Sequence, residues 1–433
     1  MKIGALSGAM ALLSACSMTI IPQGAAQSRS PQQESERVSG NDPNAPAPPL
    51  AARGNRDATF QPADPAQLTK IGDDITRALG TGIAAGPDIA TLNLSPSKAT
   101  SALQSFRTSC SSLVRREDNS GLTTGADWQI SCDAAQAWPE DDAARFFVSY
   151  FETVQIGDGK AFATGYFEPQ IRGSRVRNAR YPVPVYRRPA NLIDVDLGLF
   201  SEELKDKRVR GKVDGTKLVP FEDRAAIDDG AIAGQGLEFA WAQDYIDLFF
   251  LQIQGSGRLE LPDGSIMRIG YAGQNGHDYT GIGRVMRERG LLADGKTNMQ
   301  GIVEWLRANP EEGMRIMREN KSYVFFQELT GPGPLGAMGH PVVAGTSVAA
   351  DRMFVPLGAP VFLDMEHDIA DGLWVAQDSG GAIKGANRFD TFWGAGEEAA
   401  RIAGGMSSRG QALIFLPKGS LSRLLAFQPA LGK

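Results

Sequence analysis

Past residue 139 the chain reads as short apolar runs set between polar, glycine-bearing turns. One run has helical spacing. Phe146, Phe147, Tyr150, Phe151 and Val154 share a face, Pro139 stands at its start, and Asp141 and Asp142 suit the positive end of a helix dipole. The spacing predicts a helix over 140–154. Strand-like runs follow at 161–171 and 181–186, then a highly charged stretch over 201–235. A further strand is predicted over 247–254, turning at Gly255-Ser256-Gly257 and continuing through 258–261 to the turn Pro262-Asp263-Gly264. Short helices are predicted at 280–289, 299–308 and 311–319. Strands are predicted at 322–328, 341–350, 360–365, 373–377 and 411–417, with one helix near 396–403 ended by Gly404. Repeated short strands with glycine-rich turns indicate a mainly β fold, a barrel or sandwich, with a few short helices.

The amino end is patterned differently. Residues 1–16, MKIGALSGAMALLSAC, place Lys2 ahead of an apolar stretch from Ile3 to Leu13. That stretch is too short to span a bilayer core of about 30 Å and reads as a signal peptide. Leu13-Ser14-Ala15-Cys16 resembles a bacterial lipobox, in which the signal is cut before the cysteine and the thiol is lipidated. The alternative is an ordinary secretion signal cut near Ala25 or Ala26. Ser17 stands where an Asp would resemble an inner-membrane retention signal. The expectation is therefore a lipid anchor on the periplasmic face of the outer membrane of a Gram-negative bacterium, with no spanning helix. Residues 17–64 are rich in Pro, Ala, Gln, Ser and Asn and almost lack large apolar side chains. Such a segment buries too little surface to offset its ordering entropy, and reads as a flexible tether.

Composition narrows the chemistry. A chain of 433 residues holds about two to three domains of roughly 150 residues. Lys plus Arg total 44 against 50 Asp plus Glu, a formal charge of −6, which excludes the basic footprint of a nucleic-acid binder. Three His and three Cys exclude zinc-ribbon arrays and multi-haem sites. His277, His340 and His367 lack HExxH spacing, so no metal is expected, and His277 reads as a structural hydrogen-bonding group. With Cys16 assigned to lipid, Cys110 and Cys132 either close a loop as a disulfide in an oxidising compartment or remain two buried thiols.

Two familiar templates fail. Gly331-Pro332-Gly333-Pro334-Leu335-Gly336 matches GxGxxG literally, but its prolines remove N–H groups that would cradle phosphate and no helix opens after it. Gly345-Thr346-Ser347-Val348-Ala349 approximates a nucleophile elbow without the last glycine. Acid–base chemistry by carboxylates remains. Asp378 ends a predicted strand, a Gly380-Gly381 turn follows, and a second short strand ends at Asp390, 12 residues on. Either the two share a cleft, where like charge and the apolar Phe389, Phe392 and Trp393 raise one pKa to suit a general acid, or Asp378 caps a turn and Asp390 lies in a surface loop.

The stretch from Trp374 to Gly394 resembles the catalytic "3D" segment of the membrane-bound lytic murein transglycosylase A family. Thr164-Gly165-Tyr166-Phe167-Glu168-Pro169 is similar to another family block, and 248–257 (LFFLQIQGSG) to its most distinctive one. Gly270 to His277 with Tyr279 to Arg284, Tyr323-Val324-Phe325-Phe326 and Gly336-Ala337-Met338-Gly339 complete an ordered set over about 95–425. One departure is Thr346, where the family often carries Arg.

The resemblance implies a double-psi β-barrel split in sequence, 95–172 plus 320–425, with a smaller β-rich domain, 173–319, inserted and a glycan groove between them. It implies a lytic exotransglycosylase, a carbon–oxygen lyase cutting the β-1,4 bond between N-acetylmuramic acid and N-acetylglucosamine of peptidoglycan. The C6 hydroxyl attacks the anomeric carbon and leaves a 1,6-anhydro end. An intramolecular nucleophile lets one carboxylic acid suffice. Asp390 matches the acid, and Asp378 would set its orientation and pKa. Gln254 and Lys384 are expected to contact sugar amides or hydroxyls, Tyr166, Tyr271 and Trp393 to stack on pyranose faces, and Glu168, Ser256 and Asn275 to line the groove. Core packing is the alternative for each aromatic. No cofactor is expected. The competing functions are a hydrolase that uses water and a peptidoglycan-binding lipoprotein without turnover.

Overall fold

The computed structural model describes residues 58–426 except 206, 294–295, 297 and 332. The signal segment 1–16, Cys16, the tether up to residue 57 and Pro332 of the GxGxxG-like loop lie outside the described residues.

The strands, in chain order, are β1 (Ile83–Ala85), β2 (Phe151–Ile156), β3 (Lys160–Glu168), β4 (Gln170–Ser174), β5 (Val183–Tyr186), β6 (Ile193–Asp196), β7 (Arg208–Asp214), β8 (Lys217–Pro220), β9 (Glu238–Ala242), β10 (Ser256–Glu260), β11 (Ile266–Gln274), β12 (Val324–Leu329), β13 (Ser347–Ala350), β14 (Pro360–Met365), β15 (Gly372–Asp378), β16 (Arg388–Ala395) and β17 (Ser407–Pro417). The helices are α1 (Ala78–Thr81), α2 (Pro96–Leu113), α3 (Gln129–Ala137), α4 (Ala143–Tyr150), α5 (Arg224–Asp228), α6 (Tyr245–Gln254), α7 (Ile282–Glu288), α8 (Met299–Ala308), α9 (Pro310–Arg318), α10 (Glu397–Gly405) and α11 (Ser420–Ala426).

Six strands close a barrel in the order β17-β14-β15-β13-β16-β3, with β17 pairing β3 to shut it, and β2 and β1 extend the sheet from β17. The β13–β15 and β16–β3 pairs are parallel, the others antiparallel. Closure removes the free edges that would otherwise invite pairing. Val348, Ala350, Leu373, Val375, Phe389, Leu413 and Phe415 are buried in its core. Helices α2, α3 and α4 pack on the same core through Phe106, Ala135, Phe146 and Phe147, with Trp128 just ahead of α3. A disulfide joins Cys110 of α2 to Cys132 of α3, with 5.5 Å between the Cα atoms.

A second sheet runs β12-β11-β10-β4-β9-β5, and a third, smaller one β6-β7-β8. β4 and β12 belong to the second sheet, so it reaches past 173–319 on both sides.

Several expected elements differ. The segment 247–254 is helical, not a strand. Asp244 caps α6 by accepting from the Asp247 N–H, and Gly255 closes it in the left-handed region at φ +80°. A short run that is apolar on all sides fits a buried helix as well as a buried strand, and the caps decide. The helix expected over 140–154 is a short 3-10 turn followed by α4, and ends where β2 pairs with β17. Of 341–350, only β13 is strand. The charged stretch 201–235 holds β7 and β8, and 65–139 holds α1 to α3, for which no element was expected. The last residues of the expected tether are packed. Phe60 is buried against Phe362, and the Thr59 N–H donates to Asp364 Oδ2 at 2.5 Å.

Candidate active site

Side chains alternate across a strand, and the barrel uses this to build a wall. On β3 the alternation turns Phe162, Thr164 and Tyr166 one way, with Ala161 and Ala163 buried in the other. On β16 it turns Arg388, Asp390 and Phe392 one way, and Phe389 and Thr391 inward. The parallel register sets Arg388 beside Phe162, Asp390 beside Thr164 and Phe392 beside Tyr166. On the other flank, β13 places Ala349 opposite both Asp390 and Asp378. The wall therefore reads Asp378, Ala349, Asp390, Thr164 across four adjacent strands.

Asp390 is half-buried and lies inside β16 as its third residue, not at a strand end as expected. The Thr164 hydroxyl donates to its Oδ1 at 2.6 Å. Arg388 Nη2 donates to Thr164 Oγ1 at 2.8 Å, which commits the hydroxyl proton to Asp390. The Arg388 guanidinium also lies 5.0 Å from the Phe162 ring centre. Burial pushes the Asp390 carboxyl up to about 6. The Thr164 hydrogen bond and the Arg388 charge oppose that, and the Asp378 charge adds only a small further push upward. The rise was expected from like charge and an apolar setting together, and burial is the larger cause. With a whole strand between them, the two backbones are about 10 Å apart.

Asp378, at the end of β15, is fully engaged. Its Oδ2 accepts from the Tyr166 hydroxyl at 2.9 Å, and its Oδ1 accepts from the N–H groups of Ala337 (2.9 Å) and Ser379 (2.8 Å). Burial raises its pKa against those three bonds. Tyr166 is buried, its ring 4.9 Å from that of Phe392. Burial and the Asp378 charge hold its phenol well above the usual range. Asp378 thus ties β15, β3 and the 336–339 turn together around Asp390.

The other expected residues divide. Lys384 is exposed on the β15–β16 loop. Gln254, at the end of α6, accepts from the Phe167 N–H at 3.1 Å, and its Nε2 has no hydrogen-bond partner among the described residues. Tyr271 is exposed, and its hydroxyl accepts from Arg210 Nη1 at 3.1 Å. Four positions, and the buried Tyr166 whose hydroxyl is spent on Asp378, lie in contacts other than those expected of them. Asn275 is fully buried and satisfied: its Nδ2 donates to the carbonyls of Glu222 (2.8 Å) and Lys321 (2.9 Å), and its Oδ1 accepts from the Tyr323 N–H (2.9 Å). Glu168 is buried and paired with Arg268 at 3.1 Å. Ser256 is buried at the start of β10. Trp393 falls on the opposite face of β16 from Asp390, edge-on to Trp374 with ring centres 5.6 Å apart, and its Nε1–H is spent on Thr391 Oγ1 (2.9 Å).

Thr164, Arg388 and Tyr279 were not singled out from the sequence. Arg388 stands two residues before Asp390, the spacing that puts two side chains on one strand face. Tyr279 follows β11 of the second sheet. Burial raises its phenol pKa, the Arg224 charge opposes the rise, and the Asp390 charge adds a smaller part to it. His277 Nε2 lies 2.7 Å from Phe221 O, the structural contact expected of it. Among the described residues no cluster of His, Cys, Asp and Glu could hold a metal ion.

Two family models match in tandem, the MltA specific insert domain over residues 162–327 and the 3D domain over 346–416. A crystal structure of a membrane-bound lytic murein transglycosylase from Agrobacterium tumefaciens is 32% identical, covers 79% of this chain and 99% of its own, and superposes with a TM-score of 0.70. The chain belongs to the membrane-bound lytic murein transglycosylase A family. The Vibrio cholerae protein of that name is 33% identical over 268 residues, which are 58% of this chain and 66% of that protein. The chain therefore aligns with just under two thirds of that relative's length. E. coli MltA, solved with bound chitohexaose, is 26% identical, covers 74% of this chain and 89% of its own, and has a TM-score of 0.54. The six-stranded barrel with its inserted second sheet is the mainly β, double-psi fold of this family.

Proposed function

We propose that this protein is a lytic transglycosylase of peptidoglycan, with Asp390 as its acid and then its base. The observation that carries the reading is a half-buried carboxyl on the barrel wall, pushed up to about 6 and held by one hydroxyl. Such a group is largely protonated in mildly acidic medium and can surrender its proton to a glycosidic oxygen. The Thr164 bond occupies Oδ1 and leaves Oδ2 to carry that proton. Once ionised, the same carboxylate accepts the proton of the muramoyl C6 hydroxyl as it closes on the anomeric carbon. The E. coli relative holds a chain of N-acetylglucosamine units, the sugar class this step needs.

Asp378 is a positioning residue, because its oxygens are already taken by Tyr166, Ala337 and Ser379. That disfavours hydrolysis, which needs a second carboxylate free to activate water. Gln254 Nε2, Lys384 and Tyr271 remain candidate contacts to the glycan, with Tyr279 added from the second sheet. The reading extends to a lipid anchor at Cys16 on the periplasmic face of the outer membrane, in keeping with the relatives' membrane-bound name.

The test is incubation with purified peptidoglycan, with released muropeptides weighed before and after borohydride. Anhydro ends that resist reduction are expected, and Asp390→Asn should abolish them with the fold intact. Reducible muramic ends would establish hydrolysis instead, and binding without release a glycan-binding lipoprotein.

A further inference from the structure

Helix α2 runs alongside β15. Lys98, near its start, lies 4.5 Å from the Trp374 ring centre, and further on Gln377 Nε2 donates to Ser105 O (3.1 Å) and Ser109 Oγ (3.0 Å). The end of α2 therefore continues past Asp378. There Ser112 Oγ meets His340 Nε2 at 2.8 Å, and Arg116 Nη1 reaches Ala337 O at 3.5 Å. Ala337 is the residue whose N–H binds Asp378. Arg352 arrives at the same end of the barrel from β13, three residues beyond Ala349, which pairs with Asp378 and Asp390.

Arg116 and Arg352 line one crevice, with Trp128 and Leu357 as its apolar walls. Neither guanidinium has a carboxylate within ion-pair distance among the described residues. Burial, and then repulsion from Arg352, lower the pKa of Arg116. The crevice's own acids do not neutralise the pair. Asp118 turns inward, its oxygens taken by Ser120 and Thr123, and Glu117 is exposed. Two like charges held together at a partly buried site oppose each other unless an anion joins them, and the planar guanidinium fork matches a carboxylate.

We infer that Arg116 and Arg352 form a clamp for a free carboxylate of the peptide stem carried by the muramoyl residue being cut. The inference rests on the transglycosylase reading, because that sugar bears the peptide through its lactyl group. The clamp would read the peptide at the Asp378 end of the barrel while Asp390 acts on the glycosidic bond.

The experiment uses the full chain in detergent and two substrates, peptide-bearing glycan strands and the same strands stripped by an amidase. The native protein should cut peptide-bearing strands faster. Arg116→Gln with Arg352→Gln should lower kcat/KM on those strands about tenfold, the loss expected of charge-assisted hydrogen bonds, and leave stripped strands unchanged. Lysine at both positions should give an intermediate loss. Equal losses on both substrates, or no loss on either, would overturn the clamp. Arg352→Gln alone, at an exposed position, keeps the comparison available if the double variant folds poorly. Absence of anhydro products from the native protein on both substrates would instead overturn the activity itself, and the clamp with it.

Discussion

Asp390 gains its value as an acid from a setting that costs stability. Its carboxyl titrates near 6 in the fold, against 3.8 for the free side chain. The folded state thus favours the protonated form, a contribution fully present below about 3.8 and lost as pH rises through 6. Asp390→Asn removes the charge that is disfavoured at neutral pH. We expect it to raise stability by about 1–3 kcal/mol at pH 8 and by little at pH 4, read from denaturant midpoints at the two pH values. Arg388 works in the opposite sense. Replacing it by Leu withdraws the charge and the bond that hold Thr164 toward Asp390, so the Asp390 pKa should climb. Activity of a general acid falls above its pKa, so the alkaline limb of kcat/KM should move up by about half to one pH unit. A limb that stays in place would remove Arg388 from the tuning of Asp390. Asn275 belongs to the fold. Asn275→Ala leaves the Glu222 carbonyl and the Tyr323 N–H without their partner, while the Lys321 carbonyl keeps the Arg224 N–H, and should cost about 2–3 kcal/mol, with KM of the remaining folded enzyme unchanged.

Element boundaries here were set by caps and crossings more than by periodicity. Gly255 ends α6 in the left-handed region, and two residues on, a Cβ at Gly257 would meet Leu251 Cδ1 at 2.4 Å. The Gly-Ser-Gly of the sequence is thus a helix stop followed by a close approach, and not the bend between two strands. Gly255→Ala should cost about 1 kcal/mol and Gly257→Ala more, because Leu251 is itself fully buried. The disulfide staples α2 to α3 under the barrel. Its 22-residue separation gives an entropic contribution of about 3 kcal/mol. Cys110→Ala with Cys132→Ala should lower the unfolding midpoint correspondingly, with the anhydro-product pattern retained.

At the scale of the molecule, the site depends on strands far apart in sequence. β3 and β16 pair directly in the barrel although far apart along the chain, and Thr164 and Asp390 lie 226 residues apart. The Glu168–Arg268 ion pair crosses from the end of β3 to β11 of the second sheet. Both partners are largely buried, so Glu168→Ala leaves the Arg268 charge without its carboxylate, with only the Gly331 carbonyl to hold it, and should cost about 3 kcal/mol. Loss of activity in that variant should track loss of folded protein and not a change in pH profile.

The sequence by itself was enough for the mainly β class, most of the C-terminal strands and the helices α7 to α9, and it drew attention to the two aspartates. These features are local, written in alternation, in helical spacing and in a contiguous Gly-rich block. It also carried the ordered motifs that resemble the family. It could not say which face of β16 carries chemistry, because Phe389, Phe392 and Trp393 look alike until the register assigns one face to the core and the other to the wall. It could not distinguish Asn275, buried and satisfied, from Lys384, exposed on its loop, since both are polar residues in family-like blocks. Nor could it find Thr164 and Arg388, whose role exists only once parallel pairing sets them beside Asp390. Burial and cross-strand neighbours arise when the chain closes, and they decided the pKa of the acid. The tertiary structure alone supplied them.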